Sequence, residues 1–192
     1  MSKSAQTDDT EIIPIFPLSG AILLPGGQLP LNIFEPRYLT MVEDALKTDS
    51  RVIGMIQPQK QDGLYDTGCT GRITTFHETE DGRYLITLSG ISRFRAVEEL
   101  EMSHGYRRVL ADYSNYGADK NSVKEDAEMV DHDWESLCSQ LRNYFISQDM
   151  QCDWDMVENT SRPELLTLLC MVCPFAPSEK QALLEAATEA DR

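Results

Sequence analysis

The sequence predicts an α+β protein, a mostly antiparallel β domain that contains one helix and is followed by an α-helical region. Three observations carry this expectation. Between Ile12 and Tyr113, short apolar segments with strand-like spacing are separated by proline, glycine and an Asp-Gly pair. Within that stretch the apolar period changes abruptly at Glu35-Pro36, from that of a strand to that of a helix. Beyond residue 124 the helical period runs to the end of the chain.

Pro14, Pro17, Pro25 and Pro30 each remove a backbone donor and fix φ, so no helix can run through the first apolar stretch. Leu29, Leu31 and Ile33 alternate with Gln28, Pro30 and Asn32, as in a half-buried strand, and Pro30 requires an edge, a strand start or a bulge there. Pro36 suits a first helical turn. Leu39, Val42 and Leu46 then fall on one helix face, with Tyr38, Met41 and Ala45 on an adjoining one. Arg51 to Gln57 reads as a buried strand, Pro58 to Gly63 as a polar loop, and Gly68 and Gly71 as a turn or a close backbone approach. Ile73 to Glu78 and Arg83 to Ser89 flank Thr79-Glu80-Asp81-Gly82, a hairpin signal; both faces of the second arm are apolar, as in a central strand. Phe94 to Leu100 and Tyr106 to Tyr113 add further strands around a turn within Glu101 to Gly105.

The polar stretch 114–124 marks a boundary. The expected organisation is a disordered segment 1–11, a β domain 12–116 and a helical extension 125–192. In the extension, Val130, Trp134, Leu137, Leu141, Tyr144 and Phe145 predict one long helix over Asp126 to Gln148, and a short one begins near Asp153. Ser161-Arg-Pro-Glu164 is a capping-box pattern opening a third helix. There Leu165, Leu168, Leu169 and Val172 form one apolar face and Leu166, Cys170 and Cys173 another, so the helix is expected to be covered on two sides. Ser178 and Gln181 repeat the capping pattern before a last helix.

The 192 residues carry a formal net charge of -15, of which residues 119–192 hold about -10. Such a surface repels phosphate backbones and anionic lipid, so no nucleic acid and no membrane is expected among the partners. The segment MSKSAQTDDTE lacks the apolar core of a signal peptide, and five cysteines without framework spacing fit thiols in a reducing compartment. A cytoplasmic protein is expected.

Chemistry is sparsely signalled. Cys170-Met-Val-Cys173 has redox spacing but lies at the end of an apolar helix, where the dipole does not favour a thiolate, so buried structural thiols are expected. His77, His104 and His132 are scattered and offer no metal spacing. No G-x-S-x-G, Walker or dinucleotide fingerprint occurs, so neither a catalytic residue nor a cofactor is assigned. Arg93 and Arg95 around Phe94, and Arg107-Arg108 after Tyr106, alternate with aromatics, a pattern able to bind single-stranded nucleic acid; on so acidic a chain, pairing with carboxylates is the better reading. The segment Ala21 to Pro25 is either core or an apolar ledge for other polypeptides.

IPIFPLSGAILLPGGQLPLNIFEPRYLTMVEDAL, followed by GLYDTGCTGRI and LSGISRF, resembles the N-terminal substrate-binding domain of the ATP-dependent Lon protease over about residues 12–113. DWDMVENTSRPELLTLLCMVCPF and EKQALLEA are similar to the helical region of stand-alone members of that family. The resemblance implies a PUA-like β pseudo-barrel with appended helices, and a non-catalytic module for polypeptide recognition, since the ATPase module and the serine and lysine pair of full-length Lon have no counterpart in the 192 residues. It implies polypeptide substrates or a protein partner such as a protease or chaperone. Leu23, Leu24, Phe34, Tyr38 and Met41, in the signature stretch, are candidate contacts, and each is also a candidate core residue; Leu24→Asp separates the two, weakening binding in one case and abolishing cooperative unfolding in the other. An adaptor docking on a specific protease or chaperone, an RNA-binding PUA-like module and an undetected hydrolase built on one of the histidines are the rival readings.

Overall fold

The computed structural model describes residues 9–120, 131–147, 149, 154–188 and 191. Of the expected disordered segment 1–11, residues 1–8 lie outside the described residues, as do the link 121–130 and Cys152, whereas Thr10 and Glu11 are strand residues that pair with Asp112 and Ala111. The elements run β1 (Thr10–Pro17), β2 (Gln28–Ile33), α1 (Pro36–Leu46), β3 (Val52–Pro58), β4 (Leu64–Glu78), β5 (Tyr84–Ser103) and β6 (Tyr106–Asp112). A 3₁₀ segment, Ser114–Lys120, leads on to α2 (Asp131–Ser147), α3 (Trp154–Asn159), α4 (Arg162–Val172) and α5 (Pro177–Glu185).

The sheet order is β2-β5-β4-β3-β1-β6, and β6 also pairs with β5. The 20-residue β5 makes this closure possible. One of its edges pairs with β4, and the other pairs first with β2 and farther along with β6. Five strands thus close into a barrel and β2 is left at an open edge. All pairings are antiparallel except β1 with β3.

Two cores follow from strand alternation. Inside the barrel lie Ile13, Ile15, Val52, Ile56, Phe94, Val109, Ala111 and Tyr113. Outside it, Ile53 and Met55 of β3, Ile86 and Leu88 of β5 and the Ile22-Leu23-Leu24 segment pack with Tyr38, Met41, Val42 and Ala45 of α1. Cys170 of α4 and Leu184 of α5 belong to this second core, so the helical region completes the β domain's packing.

Several expectations change in detail. Residues 64–78 form one strand, and Gly68 and Gly71 serve close approach within it, not a turn. A Cβ on Gly68 would stand 2.5 Å from Phe94 Cζ and 2.6 Å from the Met55 carbonyl oxygen. Leu85 is 43% exposed, so the strand is central in pairing but covered on one face only. The 114–120 stretch is pinned to the barrel, because Asp119 pairs with Arg93. The described part of the first long helix begins at Asp131. Ser161 Oγ donates to Glu164 Oε2 (2.7 Å) in place of capping a backbone amide. The cap of α5 is Ala176, whose N–H donates to Glu179 Oε2 (2.7 Å), which leaves Gln181 to point inward.

Gly68→Ala is expected to cost about 1–3 kcal/mol through overpacking against Phe94, read as a lower urea midpoint. Burial pushes the Tyr113 hydroxyl up to about 12 from 10.0, while its hydrogen bond with Thr70 Oγ1 (2.9 Å) pulls the other way. The unfolded chain therefore loses this proton first. Tyr113's contribution to stability is complete below pH 10 and lost as pH rises through about 12. Urea melts across that range should show the decline, and Tyr113→Phe should make it shallower.

Candidate polypeptide groove

The candidate site forms where α4 rests on the turn that precedes β2. Gly26 N–H donates to the Gly90 carbonyl (3.0 Å) and Gly90 N–H to the Gly27 carbonyl (2.9 Å), which ties the turn to β5. A Cβ on Gly27 would collide with Met171 Sδ and stand 3.2 Å from Thr167 Cγ2, so a side chain here would require Met171 to move aside and α4 to give slightly. Between turn and helix runs a cavity of about 920 Å³. Pro25, Leu29, Pro30 and Ile91 line one side, and Thr167, Leu168, Met171 and Val172 the other. Asp119, Thr160 and Glu164 complete its polar margin.

The expected apolar face of α4 is thereby divided. Leu165 is buried, but Leu168 is 39% and Val172 61% exposed over the groove, so the prediction that the helix is covered on both sides fails at these two residues. Pro30 bounds the groove on the open β2 edge. It pairs with Thr87 on an edge strand, where proline is accommodated with its missing N–H toward the open side, so a ladder added on the outer edge would lack that donor. The groove accordingly offers side-chain contacts more readily than a regular added strand.

Polar links fix α4 and α5 against the barrel. Gln57 Nε2 donates to the Pro177 carbonyl (2.8 Å) and to Gln181 Oε1 (3.2 Å), and its Oε1 accepts from Gly20 N–H (3.0 Å). Gln181 Nε2 reaches the Thr67 carbonyl (3.1 Å) and Glu185 Oε1 (2.7 Å). Lys180, buried, donates to the Met171 carbonyl (2.8 Å) at the end of α4, and burial lowers its pKa. Arg93 donates through Nε and Nη2 to the two oxygens of Asp119, both at 2.9 Å. Its Nη1 reaches the carbonyls of Leu184 (3.3 Å) and Ala186 (2.6 Å) at the C-terminal end of α5.

A second cavity, about 650 Å³, lies between α2, α3 and the start of α4. Arg142 lies 4.0 Å above the Trp154 ring and Arg162 lies 5.3 Å from that of Trp134. Cys138, Val157, Thr160 and Ser161 complete its wall.

The signature-stretch candidates lie elsewhere. Leu23, Leu24 and Met41 are fully buried and Tyr38 is 7% exposed, so these four are core side chains with no surface to offer; Phe34 alone, at 63%, is exposed. Their apolar character serves the packing of α1 on the sheet. The groove residues Leu168 and Val172 were visible in the sequence as one helix face, but their exposure depends on where α4 lands.

The rival chemistries find limited support. His104 Nδ1 lies 2.8 Å from Asp44 Oδ2, which also accepts from Tyr106 OH (3.1 Å), and this hydrogen bonding, His104 foremost, holds the Asp44 carboxyl below its ordinary value. Among the described residues no serine or cysteine hydrogen-bonds to His104. His77 is exposed and the side chain of His132 lies outside the described residues. Arg93, Arg95 and Arg107 pair with Asp119, Asp112 and Glu99, and Arg108 donates to the Glu101 carbonyl. Cys170 and Cys173 are buried, as expected, and no group of metal-binding side chains occurs among the described residues.

A closed β barrel with a covering helix on its outer core and further helices packed beside it defines the architecture of a Lon N-terminal domain. The chain matches the ATP-dependent protease La (LON) substrate-binding domain over residues 12–192 and belongs to that family. It is 26% identical over 187 residues to Lon protease 2 of Myxococcus xanthus, covering 93% of this chain and 22% of the relative. With Lon protease of Anaeromyxobacter dehalogenans it shares 24% identity over 192 residues, again 93% of this chain and 22% of the other. The chain thus spans about a fifth of the length of these curated relatives. In fold it is similar to the Lon N-terminal domain protein from Xanthomonas campestris, with a TM-score of 0.63, 23% identity and coverage of 93% and 92% of the two chains. The N-terminal domain of Lon protease from Mycobacterium avium complex gives a TM-score of 0.64 at 16% identity, over 94% and 93%.

Arg93→Gln would leave Asp119 without its charged partner in a buried setting and is expected to cost about 3–5 kcal/mol. Limited proteolysis should then cut first within 114–120 and around α5, while Arg95→Gln, at an exposed pair, should leave the cleavage pattern unchanged.

Proposed function

We propose that the protein is a non-catalytic recognition module of the cytoplasm, and that the groove between Pro25–Pro30 and α4 receives an extended apolar segment of another polypeptide, as found in unfolded or damaged chains. The observation that carries the reading is the exposure of Leu168 and Val172 over an apolar cavity whose opposite side is Leu29, Pro30 and Ile91. Membership of a substrate-binding domain family supports it. Affinity comes from apolar area withdrawn from water, at about 25 cal/mol per Å², so one well-seated leucine contributes about 1.5–3 kcal/mol. The acidic surface keeps the free module soluble and disfavours anionic partners at long range.

Titration into a fluorescently labelled, permanently unfolded polypeptide, followed by anisotropy, tests the reading, with a folded protein and an RNA oligomer as controls. Saturable binding to the unfolded chain alone is expected. Leu168→Asp and Val172→Asp should each weaken it about tenfold or more while the thermal midpoint changes little, because both side chains already face solvent. Leu24→Asp should instead abolish cooperative unfolding. Retention of full affinity by both groove variants would remove the groove from the interface, and binding to a single folded partner alone would make the module an adaptor.

A further inference from the structure

Three side chains of α4 that border the groove, Glu164, Leu168 and Val172, stand four residues apart and form one slanting row. At a rise of about 1.5 Å per residue, neighbours in this row are about 6 Å apart along the helix axis. An extended chain advances about 6.6 Å in two residues and turns alternate side chains to the same side. Every second residue of an extended occupant therefore meets the next member of the row, which offers two apolar side chains and then a carboxylate. We infer that the groove selects a polypeptide segment in which two apolar residues, separated by one position, have a lysine or arginine two positions beyond them. The inference rests on the groove reading above and specifies the sequence of its occupant.

The two walls set the apolar part of the pattern. Leu168 and Val172 are exposed over the cavity, and Leu29, Pro30 and Ile91 stand across from them. Thr167 and Met171, in the adjoining row of the helix, approach Gly27 and close the space behind them. Apolar side chains of the occupant enter between these walls, while those at the intervening positions turn away from the row and place no demand on composition.

Glu164 sets the charge. It is exposed near the start of α4, and its Oε2 accepts from Ser161 Oγ (2.7 Å), a neutral hydroxyl that leaves the negative charge uncancelled. The neighbouring cations are engaged elsewhere. Arg93 holds Asp119, the other carboxylate of the groove margin, Lys180 donates to the Met171 carbonyl, and Arg162 lies 5.3 Å from the centroid of the Trp134 ring. No lysine, arginine or histidine is among the described residues that line the groove. A cation on the occupant therefore meets a carboxylate of opposite sign at contact, whereas an acidic residue in its place adds to the repulsion from a chain of net charge -15. An ion pair in contact with water contributes weakly, so Glu164 ranks apolar segments against one another while the apolar walls supply the affinity.

Fluorescent peptides with blocked ends and one Leu-Ser-Val core test the pattern. They carry lysine, glutamine or glutamate at the second position beyond the core, on its C-terminal side in one series and on its N-terminal side in the other. Anisotropy titrations use the intact chain and its Glu164→Gln, Glu164→Lys and Leu168→Asp variants, with thermal midpoints confirming that each variant is folded. In at least one series the wild-type chain should bind the lysine peptide about two- to fivefold more tightly than the glutamine peptide, and the glutamate peptide more weakly than either. The series that shows this order gives the direction in which the occupant runs. Glu164→Gln should erase the order and Glu164→Lys should invert it. Equal binding of the three peptides in both series, still lost in Leu168→Asp, would overturn the basic preference and leave the groove standing. A lysine advantage that persists undiminished in Glu164→Gln would belong to the general acidity of the surface and would overturn the preference as well. Absence of binding by every peptide would overturn both readings.

Discussion

The buried guanidinium of Arg93 organises the junction on which this molecule depends. Arg93 sits in β5 with almost all of its side chain out of water, and its donors go to Asp119 on one side and to the terminal carbonyls of α5 on the other. A charge in such surroundings is tolerated only when paired and hydrogen-bonded, so the requirement acts as a constraint on three separated pieces of chain. It holds the 114–120 segment against the barrel and seats the end of α5 on β5. The helix-end position also suits a cation electrostatically, because the unpaired carbonyls there concentrate negative potential.

From that anchor the placement of the groove follows. With α5 seated, Gln181 reaches the Thr67 carbonyl and meets Gln57, and Lys180 reaches back to the Met171 carbonyl. Met171 is the residue that α4 presses against Gly27. The polar links carry little net energy each, but they are directional, and apolar packing alone would not select one seat for a helix with apolar residues on several faces. Phe94, next to Arg93, points to the opposite side of β5 and fills the barrel against Gly54 and Gly68. Adjacent residues of one strand therefore serve the inner core and the outer junction, a direct consequence of the two-residue period.

The family relationship gives the groove its context. An outer core sealed by α1 on one flank and by α4 and α5 on the other leaves the seam beside the β2 edge as an apolar opening. Pro30 interrupts that edge, which protects the free protein against strand-to-strand association while its side chain remains available as part of the groove wall.

Local pattern was enough to locate most elements. Alternation with Pro30 announced the edge strand, Glu35-Pro36 announced α1, Asp81-Gly82 announced the hairpin, and the apolar spacing of 165–172 announced α4, because each rests on residues near in sequence and on steric rules that hold anywhere. The family was equally legible in its signature stretch. What the sequence could not determine was which apolar residues would meet solvent. Leu23, Leu24, Tyr38 and Met41 look as much like a binding surface as Leu168 and Val172 do, and burial separated them only when α1 closed over the sheet and α4 came to rest with Leu168 and Val172 of its Leu165 face left uncovered. The capping of α5 shifted for a similar reason, since Gln181 bonds to groups more than 100 residues away in the chain. The sequence by itself determined the elements, their order and the family; the tertiary structure decided exposure, the groove and the meeting of Arg142 and Arg162 with their tryptophans, because these depend on distances between segments that no local period encodes.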